Sequence, residues 1–454
     1  YSCMNLIEKL KAIQKDDKRS STIYKNIIAS FAIKGWSVLV QLMLVPLTLA
    51  CLGVYENGVW LTISSVLLWI DNLDVGLGNG LRNKLAIYIA ENNIPKAREM
   101  VSSTMAMLTV IIVPIAFFLV VLELLGDVYG LFNVSMEEVG NLPIILVAAT
   151  MMVCSTFILK FLGNFYMGLQ LPAVNNAIVT SGNTLSLIGT WLVYVSNAHS
   201  LLLVAIANTA GPLLAYMVCY PLTFYGKFSH LRPKFSMVRI SAMKELFSIG
   251  SKFFVLQIAG IVLFFSTNII ISRFFTPAMV TPYQIANRYF MVAMLLFTIM
   301  CVPYWSATTD AYAKKDFGWI QRANCTLNRF IVFIFLLIVM MMCVSPFVYR
   351  IWIGDKAIVP LSMTVLVGFY EFVLICSTRY SFVLNGLGKL KLQLYVTIAA
   401  AVAYIPLAIF AVSEVNDIKM LLIVMCCINM PGLVINAVQY HKVISGKDTG
   451  IWSK

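Results

Sequence analysis

Leu61-Thr-Ile-Ser-Ser-Val-Leu-Leu-Trp-Ile70 is an apolar run that leads through Asp71 and Asp74 into the glycine-rich segment Gly76-Leu-Gly-Asn-Gly80. The next residues, Leu81-Arg-Asn-Lys84, place cations beside the two acids. The run is apolar enough to belong to a membrane-spanning helix, which needs about 20 residues. Two interpretations stay open: a helix cap with a glycine turn and basic anchors, or a gate at the membrane surface.

The whole chain has the composition of a polytopic membrane protein. Of its 454 residues, 60% are hydrophobic and 12% are charged, whereas soluble domains carry about 25% charged residues. The net charge of +13 is therefore interpreted mainly as an orientation signal, and no nucleic-acid partner is expected. The ten cysteines lie mostly in apolar runs without a CxxC pair, which indicates small hydrophobic side chains. The polar, basic start of the chain predicts no cleavable signal peptide.

Apolar segments of about 20 residues recur along the chain and predict twelve transmembrane helices. The predicted limits are 27–52, 57–79, 103–126, 142–166, 173–196, 200–224, 247–272, 281–306, 327–350, 361–384, 392–413 and 419–440. The expected fold class is therefore an all-α polytopic membrane protein.

The distribution of Lys and Arg between the predicted loops indicates the orientation of the helices. Nearly all of those outside the spans fall on the side of the two termini, and the other side has only Arg273, Arg350, Lys356 and Lys419. Because cytoplasmic loops are enriched in Lys and Arg, both termini are predicted to be cytoplasmic.

The longest predicted cytoplasmic segment between spans divides the helices into two sets of six. The predicted parts are a cytoplasmic N-terminal segment 1–26, an N-lobe 27–224, a linker 225–246, a C-lobe 247–441 and a cytoplasmic tail 442–454. Since both lobes begin on the same side, a repeat relating them has its pseudo-two-fold axis along the membrane normal.

A weak sign of such a repeat lies at the ends of the fourth and tenth spans. Lys160 precedes Gly168-Leu169, and Arg379 precedes Gly386-Leu387, so each span has one cation seven or eight residues before a Gly-Leu pair. Chance is the alternative explanation of this likeness.

Charged residues inside the spans are the candidates for function, because a charge at the centre of a span costs about 2.5–3.5 kcal/mol. The cations within the predicted spans are Lys34, Lys160, Lys252, Arg288 and Arg379. The acids Glu123 and Glu371 are too few to neutralise them. The excess predicts a basic, water-filled cavity that binds an anionic substrate such as a phosphate. The alternatives are snorkelling of the lysines and of Arg379 to the surface, and an ion pair between Arg288 and Glu371.

Motifs for other chemistry are missing from the sequence. There is no GxxxxGK[ST] motif for ATP, and Gly76–Gly80 follows an apolar helix where a dinucleotide fingerprint would follow a β-strand. The histidines His199, His230 and His441 have no zinc-binding spacing. We therefore expect no cofactor, no metal site and no enzymatic activity.

Two motifs resemble the start of bacterial polysaccharide flippases of the Wzx type, within the multidrug/oligosaccharidyl-lipid/polysaccharide (MOP) exporter superfamily. They are Leu52-Gly-Val-Tyr-Glu-Asn-Gly-Val-Trp60 and Asp74-Val-Gly-Leu-Gly-Asn-Gly-Leu-Arg-Asn83, the second followed by Ala90-Glu-Asn-Asn-Ile-Pro-Lys-Ala-Arg98. The resemblance implies a MATE-like fold with two six-helix lobes around a cleft that opens alternately to either side of the bacterial inner membrane. It also implies an undecaprenyl-pyrophosphate-linked oligosaccharide as cargo and cooperation with glycan polymerase or ligase machinery. A transporter of this plan can function as a monomer.

The resemblance also implies roles for individual residues. The five intramembrane cations would contact pyrophosphate or acidic sugars, while Asp74, Arg82 and Asn83 would close the cytoplasmic side. Without an ATP site, the cycle would depend on consumption of the glycan or on a proton or sodium gradient, with Glu123 and Glu371 as candidate coupling residues.

Three other functions are weighed against this one. Drug/cation antiporters of similar plan typically carry an acid in the first helix, whereas 27–52 contains Lys34 and no Asp or Glu. Lipid II flippases commonly have fourteen spans, and no spare apolar segment is present. A glycan polymerase or ligase would need a large outer loop with active-site residues, but the longest, 127–141, has no Arg, Lys or His. The antiporter is the main alternative.

Overall fold

The computed structural model describes residues 18–71, 77–169, 171–244, 262–263, 266–313, 315–387, 389, 391–447 and 449–453. In these residues the secondary structure is helical. The α-helices are α1 (Lys18–Asp71), α2 (Leu77–Ala90), α3 (Ile94–Leu125), α4 (Val128–Phe132), α5 (Leu142–Leu159), α6 (Phe161–Gly168), α7 (Pro172–Val195), α8 (Leu201–Phe224), α9 (Pro277–Ala313), α10 (Phe317–Ile353), α11 (Leu361–Gly386), α12 (Lys391–Val415) and α13 (Ile418–Ile444).

Nine helical stretches in the described part of the chain are long and apolar enough to cross a membrane. One of them, Gly35–Ile70 in α1, contains parts of both the first and the second predicted span. α9 coincides with the predicted eighth span, while most of the predicted seventh span, 247–272, lies outside the described residues. The chain is therefore an all-helical multi-pass membrane protein, as predicted.

α1 is divided by a sharp break at Gly53. The backbone of this residue has φ +69° and ψ −177°, a conformation that side chains with a Cβ rarely adopt. The first two predicted spans are thus consecutive helices of one long element. Gly53, the first of the two glycines in the Leu52–Trp60 motif, forms the turn between them.

The second predicted span was expected to continue to residue 79, with a turn over Gly76–Gly80. The structure differs, because Leu77–Gly80 form the first turn of α2. Leu77, Leu81 and Leu85, spaced four residues apart, are all fully buried. Burial of a leucine contributes about 1.5–3 kcal/mol, which outweighs the cost of about 1 kcal/mol for each glycine in a helix.

Several other helices have limits close to the predicted ones, but α3 and α10 begin nine and ten residues before the predicted spans 103–126 and 327–350. Local caps explain these earlier starts. α3 begins after Asn93, whose side chain accepts a hydrogen bond from the Lys96 amide at 3.2 Å, and Pro95 follows in its first turn. Asp316 caps α10 in the same way through the Trp319 amide at 2.9 Å. α6 and α11 end at the Gly-Leu pairs singled out in the sequence, Gly168-Leu169 and Gly386-Leu387.

The chain divides into two compact units that are not simple halves of the sequence. Unit 1 comprises 1–51, 73–126 and 141–254, and unit 2 comprises 52–72, 127–140 and 255–454. The residues after the Gly53 break and the segment containing α4 therefore belong with the C-terminal part of the chain. The predicted lobes 27–224 and 247–441 stay a prediction.

Each unit has its own helix packing. In unit 1, α2 packs on α3 and α6, α5 packs on α3 and α8, and α7 packs on α8. In unit 2, α11 packs on α9, α10 and α13, and α12 packs on α13. The core of unit 2 contains the fully buried rings of Phe290, Phe297 and Tyr404.

Candidate functional site

The structure describes the side chains of three of the five predicted substrate-binding cations. Arg288 on α9 and Arg379 on α11 belong to unit 2, whereas Lys160 belongs to unit 1 at the junction of α5 and α6. Arg379 is buried and both Arg288 and Lys160 are half-buried. Lys252 and the side chain of Lys34 lie outside the described residues.

Arg379 has the surroundings expected of a charged binding residue. Its side chain is only 7% exposed, and its guanidinium carbon lies 3.8 Å from the centre of the Tyr380 ring. Its other electrostatic neighbours are Cys376, Tyr440 and Cys301. Its Nε, although buried, has no hydrogen-bond acceptor among the described residues. Among the described residues, the electrostatic neighbours of this cation are thus phenols and thiols.

Further polar side chains lie on α11 and α13 at the level of Tyr380 and Tyr440, the two tyrosines near Arg379. The Tyr380 and Tyr440 rings are 5.8 Å apart between centroids. Asn436, one turn before Tyr440, donates from Nδ2 to Ser381 Oγ at 3.3 Å, and its buried Oδ1 has no donor in the described part of the chain. We call Arg379, Tyr380, Tyr440, Ser381 and Asn436 the arginine site. It combines a cation, hydroxyl groups and an amide, the groups that bind phosphate and sugar oxygens.

Arg288 lies at another depth of unit 2. Arg379 is near Cys301, which is thirteen residues after Arg288 on α9 and therefore about 20 Å further along the helix at ~1.5 Å per residue. Phe290, two residues after Arg288, packs closely against Gly368 of α11: a Cβ added to Gly368 would lie 2.9 Å from the Phe290 ring. Arg288 is therefore close to the level of Gly368. The two arginines are therefore too far apart to bind the same phosphate group.

Glu371, the predicted coupling residue in the tenth span, is 5% exposed and lies in a cluster of tyrosines. Tyr370, Tyr283 and Tyr404 are buried and lie within electrostatic range of one another. The Tyr404 hydroxyl and Thr267 Oγ1 share a hydrogen bond of 2.7 Å. Sequence analysis did not identify these tyrosines, because a tyrosine in an apolar run is equally typical of a membrane–water interface.

The Leu52–Trp60 motif connects the second part of α1 to α9. Asn57 donates to Thr281 Oγ1 at 3.1 Å, and Thr281 donates to the Val54 carbonyl at 2.8 Å. A Cβ added to Gly58 would collide with the Pro277 carbonyl. Asn57 and Gly58 of the motif thus have structural contacts within unit 2.

Glu123, the second predicted coupling residue, belongs to unit 1. It is half-buried on α3, and its Oε1 accepts a hydrogen bond of 2.6 Å from Thr150 on α5. Its buried Oε2 has no donor among the described residues. Glu123 and Glu371 therefore lie in different units and have different neighbours.

The predicted gate is described only in part. Arg82 is exposed on α2, whereas Asp74 and the side chain of Asn83 lie outside the described residues.

Comparison with known proteins defines the fold. No family model matches the chain. A Yersinia pseudotuberculosis protein provisionally named an O-antigen export protein is 20% identical over 371 residues, which cover 78% of this chain and 81% of that protein. An inward-facing multidrug-resistance MATE transporter of the MOP superfamily has a TM-score of 0.77 at 14% identity, covering 92% of this chain and 98% of that one.

Two further structures support the same assignment. An outward-facing MATE transporter of the MOP superfamily has a TM-score of 0.63 at 16% identity, covering 93% of this chain and 96% of that one. A MOP superfamily transporter from Pyrococcus furiosus, described as having a binding pocket of reverse polarity that suggests a different function, has a TM-score of 0.61 at 13% identity, covering 96% and 98%.

The chain is thus a polytopic membrane protein with the MATE-like fold of the MOP transporters. The resemblance seen in residues 52–98 is confirmed at the level of this fold. The arginine site, the Glu371 cluster and the half-buried cations are the polar features that this fold carries here.

Proposed function

We propose that this protein is a flippase that moves an anionic, undecaprenyl-pyrophosphate-linked oligosaccharide across the bacterial inner membrane by alternating access. The MOP fold and the similarity to a provisionally named O-antigen export protein support a transporter of this class. The observation that carries the proposal is the buried guanidinium of Arg379, whose Nε has no acceptor in the described residues.

The arginine site favours an anionic cargo for an electrostatic reason. A buried cation without a counter-ion is costly, and an arriving phosphate removes that cost through charge-assisted hydrogen bonds. In our proposal Arg379 binds pyrophosphate or an acidic sugar, while Arg288, at another depth, binds a second part of the cargo. Lys34, Lys160 and Lys252 complete the basic path.

The remaining roles belong to the same proposal. Asp74, Arg82 and Asn83 close the cytoplasmic side, both termini are cytoplasmic, and the lobes 27–224 and 247–441 rock about the linker 225–246. A proton or sodium gradient drives the cycle through Glu123 or Glu371, and a glycan polymerase or ligase consumes the cargo on the far side. The protein functions as a monomer.

The test is transport by the full chain in reconstituted vesicles. We expect wild-type protein to flip an undecaprenyl-pyrophosphate oligosaccharide and Arg288→Ala to flip it several-fold more slowly at equal abundance in the vesicles. Arg350→Ala is the matched control, because Arg350 is exposed at the end of α10 and its loss changes the net charge equally.

The same vesicles separate this function from the antiporter alternative. A cationic dye is offered under a proton gradient in place of the glycan lipid. Dye efflux without movement of the glycan lipid would refute the flippase and establish a drug antiporter. Glycan movement at the wild-type rate in Arg288→Ala would remove Arg288 from the cargo path.

A further inference from the structure

Residues 225–244, which we call the basic loop, follow α8 and have an unusual composition. The loop contains no Asp or Glu, and its cations are Lys227, Arg232, Lys234, Arg239 and Lys244. The lysines among them are exposed. The loop is therefore a surface of one charge sign beside the end of a membrane span.

The basic loop has a defined conformation because it is attached to α3. Arg98 Nε donates to the Arg232 carbonyl at 2.7 Å. Ser102 Oγ accepts from the Lys234 amide at 3.0 Å, and Ser103 Oγ accepts from the Arg239 amide at 3.1 Å. These bonds satisfy one backbone carbonyl and two backbone amides of the loop, so they fix its backbone against α3.

Two large apolar side chains of the basic loop face outward. Phe235 is 95% exposed and Ile240 is 73% exposed, whereas Leu231 in the same loop is buried at 1%. The loop thus has its own buried anchor, and Phe235 and Ile240 contribute nothing to the core of unit 1. Exposed apolar groups in a fixed basic segment are typical of a membrane-surface contact.

The contacts of Arg232 place the loop beside the lipid-facing side of α8. Leu214, Val218, Leu222 and Tyr225 are exposed at helical spacing, and since α8 is a candidate membrane span, this stripe faces lipid. The Arg232 guanidinium lies 4.4 Å from the centre of the Tyr225 ring. A cation is therefore held where the lipid-facing stripe ends.

We propose that the basic loop is a binding site for anionic phospholipids of the adjacent leaflet. The cations contact the headgroup phosphates, while Phe235 and Ile240 enter the interfacial layer. An orientation signal alone needs only the charges, and would not need exposed apolar side chains or a loop bonded to α3. The complementary charge of an anionic leaflet identifies the lipid class.

The experiment is lipid retention by the purified full chain, measured by native mass spectrometry after mixing with equal amounts of phosphatidylglycerol and phosphatidylcholine. We expect wild-type protein to retain mainly phosphatidylglycerol. The triple variant Lys227→Gln/Lys234→Gln/Lys244→Gln is expected to lower the ratio of the two retained lipids by about tenfold or more, as the removal of several basic contacts predicts.

A second triple variant is the matched control. Lys315→Gln/Lys391→Gln/Lys447→Gln removes the same charge from exposed lysines of unit 2 and is expected to leave the ratio unchanged. The double variant Phe235→Ser/Ile240→Ser is expected to lower retention of both lipids. Equal ratios in both triple variants would overturn the proposal, and so would displacement of the lipid by millimolar inorganic phosphate, which would indicate a simple anion site.

Discussion

The two units bury different kinds of polar side chains. Within the described residues of unit 1, the buried polar side chains are Ser and Thr, and many bond to the preceding turn of their own helix, as Thr104 Oγ1 does to the Met100 carbonyl at 2.8 Å. Unit 2 also buries amides, Glu371 and Arg379. Its Thr267 bonds to a side chain of another helix, Tyr404, as Thr150 of unit 1 does to Glu123.

This difference concerns which buried polar groups need a partner outside their own helix. A hydroxyl bonded within its own helix is satisfied locally and fixes little beyond that helix. A buried charged group needs a partner from another helix or from a ligand, and an unsatisfied polar group costs about 1–3 kcal/mol or more. In the described residues, the buried charged side chains are Glu371 and Arg379 of unit 2, and unit 1 has the half-buried Glu123 with one buried, unpaired carboxylate oxygen.

The largest effect on stability is expected at the close approach of two helical segments in unit 2. Gly58→Ala places a Cβ against the Pro277 carbonyl, and such overpacking costs about 1–3 kcal/mol or more. We expect a clearly lower thermal unfolding midpoint for the purified full chain. Gly35→Ala is the control, because a Cβ there meets nothing within 4 Å; equal midpoints for both variants would contradict the contact.

A smaller effect is expected for Thr267→Val. The substitution keeps the shape of the side chain but leaves the buried Tyr404 hydroxyl without its 2.7 Å partner, which costs about 1–3 kcal/mol. Addition of Tyr404→Phe to this variant should recover part of the loss, because the unpaired hydroxyl is then removed. Strictly additive losses in this double-mutant cycle, measured by thermal unfolding, would show that the two groups do not interact.

The smallest effect is expected for the same substitution in unit 1. Thr104 is also fully buried, but Thr104→Val removes only a hydrogen bond within its own helix. The free energy of unfolding should therefore change by no more than about 0.5 kcal/mol. The comparison of the two Thr→Val variants by thermal unfolding tests the difference between a hydroxyl bonded to another helix and one bonded within its own helix. If Thr104→Val lowered the stability as much as Thr267→Val does, this expectation would be wrong.

The positions of the membrane spans were predictable because bilayer thickness fixes the length of an apolar helix. The limits of α7, α8, α11 and α12 lie within a few residues of the predicted spans. The start of α2 was not predictable, since its glycines indicate a turn locally and only the packing of Leu77, Leu81 and Leu85 makes the segment helical.

The candidate site was predictable only in part. Arg379 and Glu371 stand out as charges in apolar runs, and both are buried. Their neighbours depend on which helix faces which, so the sequence could not reveal Tyr440 and Asn436 beside Arg379 or the tyrosines beside Glu371. The different depths of Arg288 and Arg379 likewise follow from the packing of α9 on α11, which no spacing within either helix specifies.

The most direct test of the account is equilibrium binding of an undecaprenyl-pyrophosphate oligosaccharide to the full chain in lipid nanodiscs. Because a charge-assisted hydrogen bond contributes about 1.5–3 kcal/mol, we expect Arg379→Gln to weaken binding by about 10-fold to 100-fold. Arg379→Lys should bind with intermediate affinity, and Arg350→Gln, which alters an exposed arginine, should bind as wild type does. Wild-type affinity in a folded Arg379→Gln protein would contradict the claim that unit 2 binds the anionic cargo through its buried arginine.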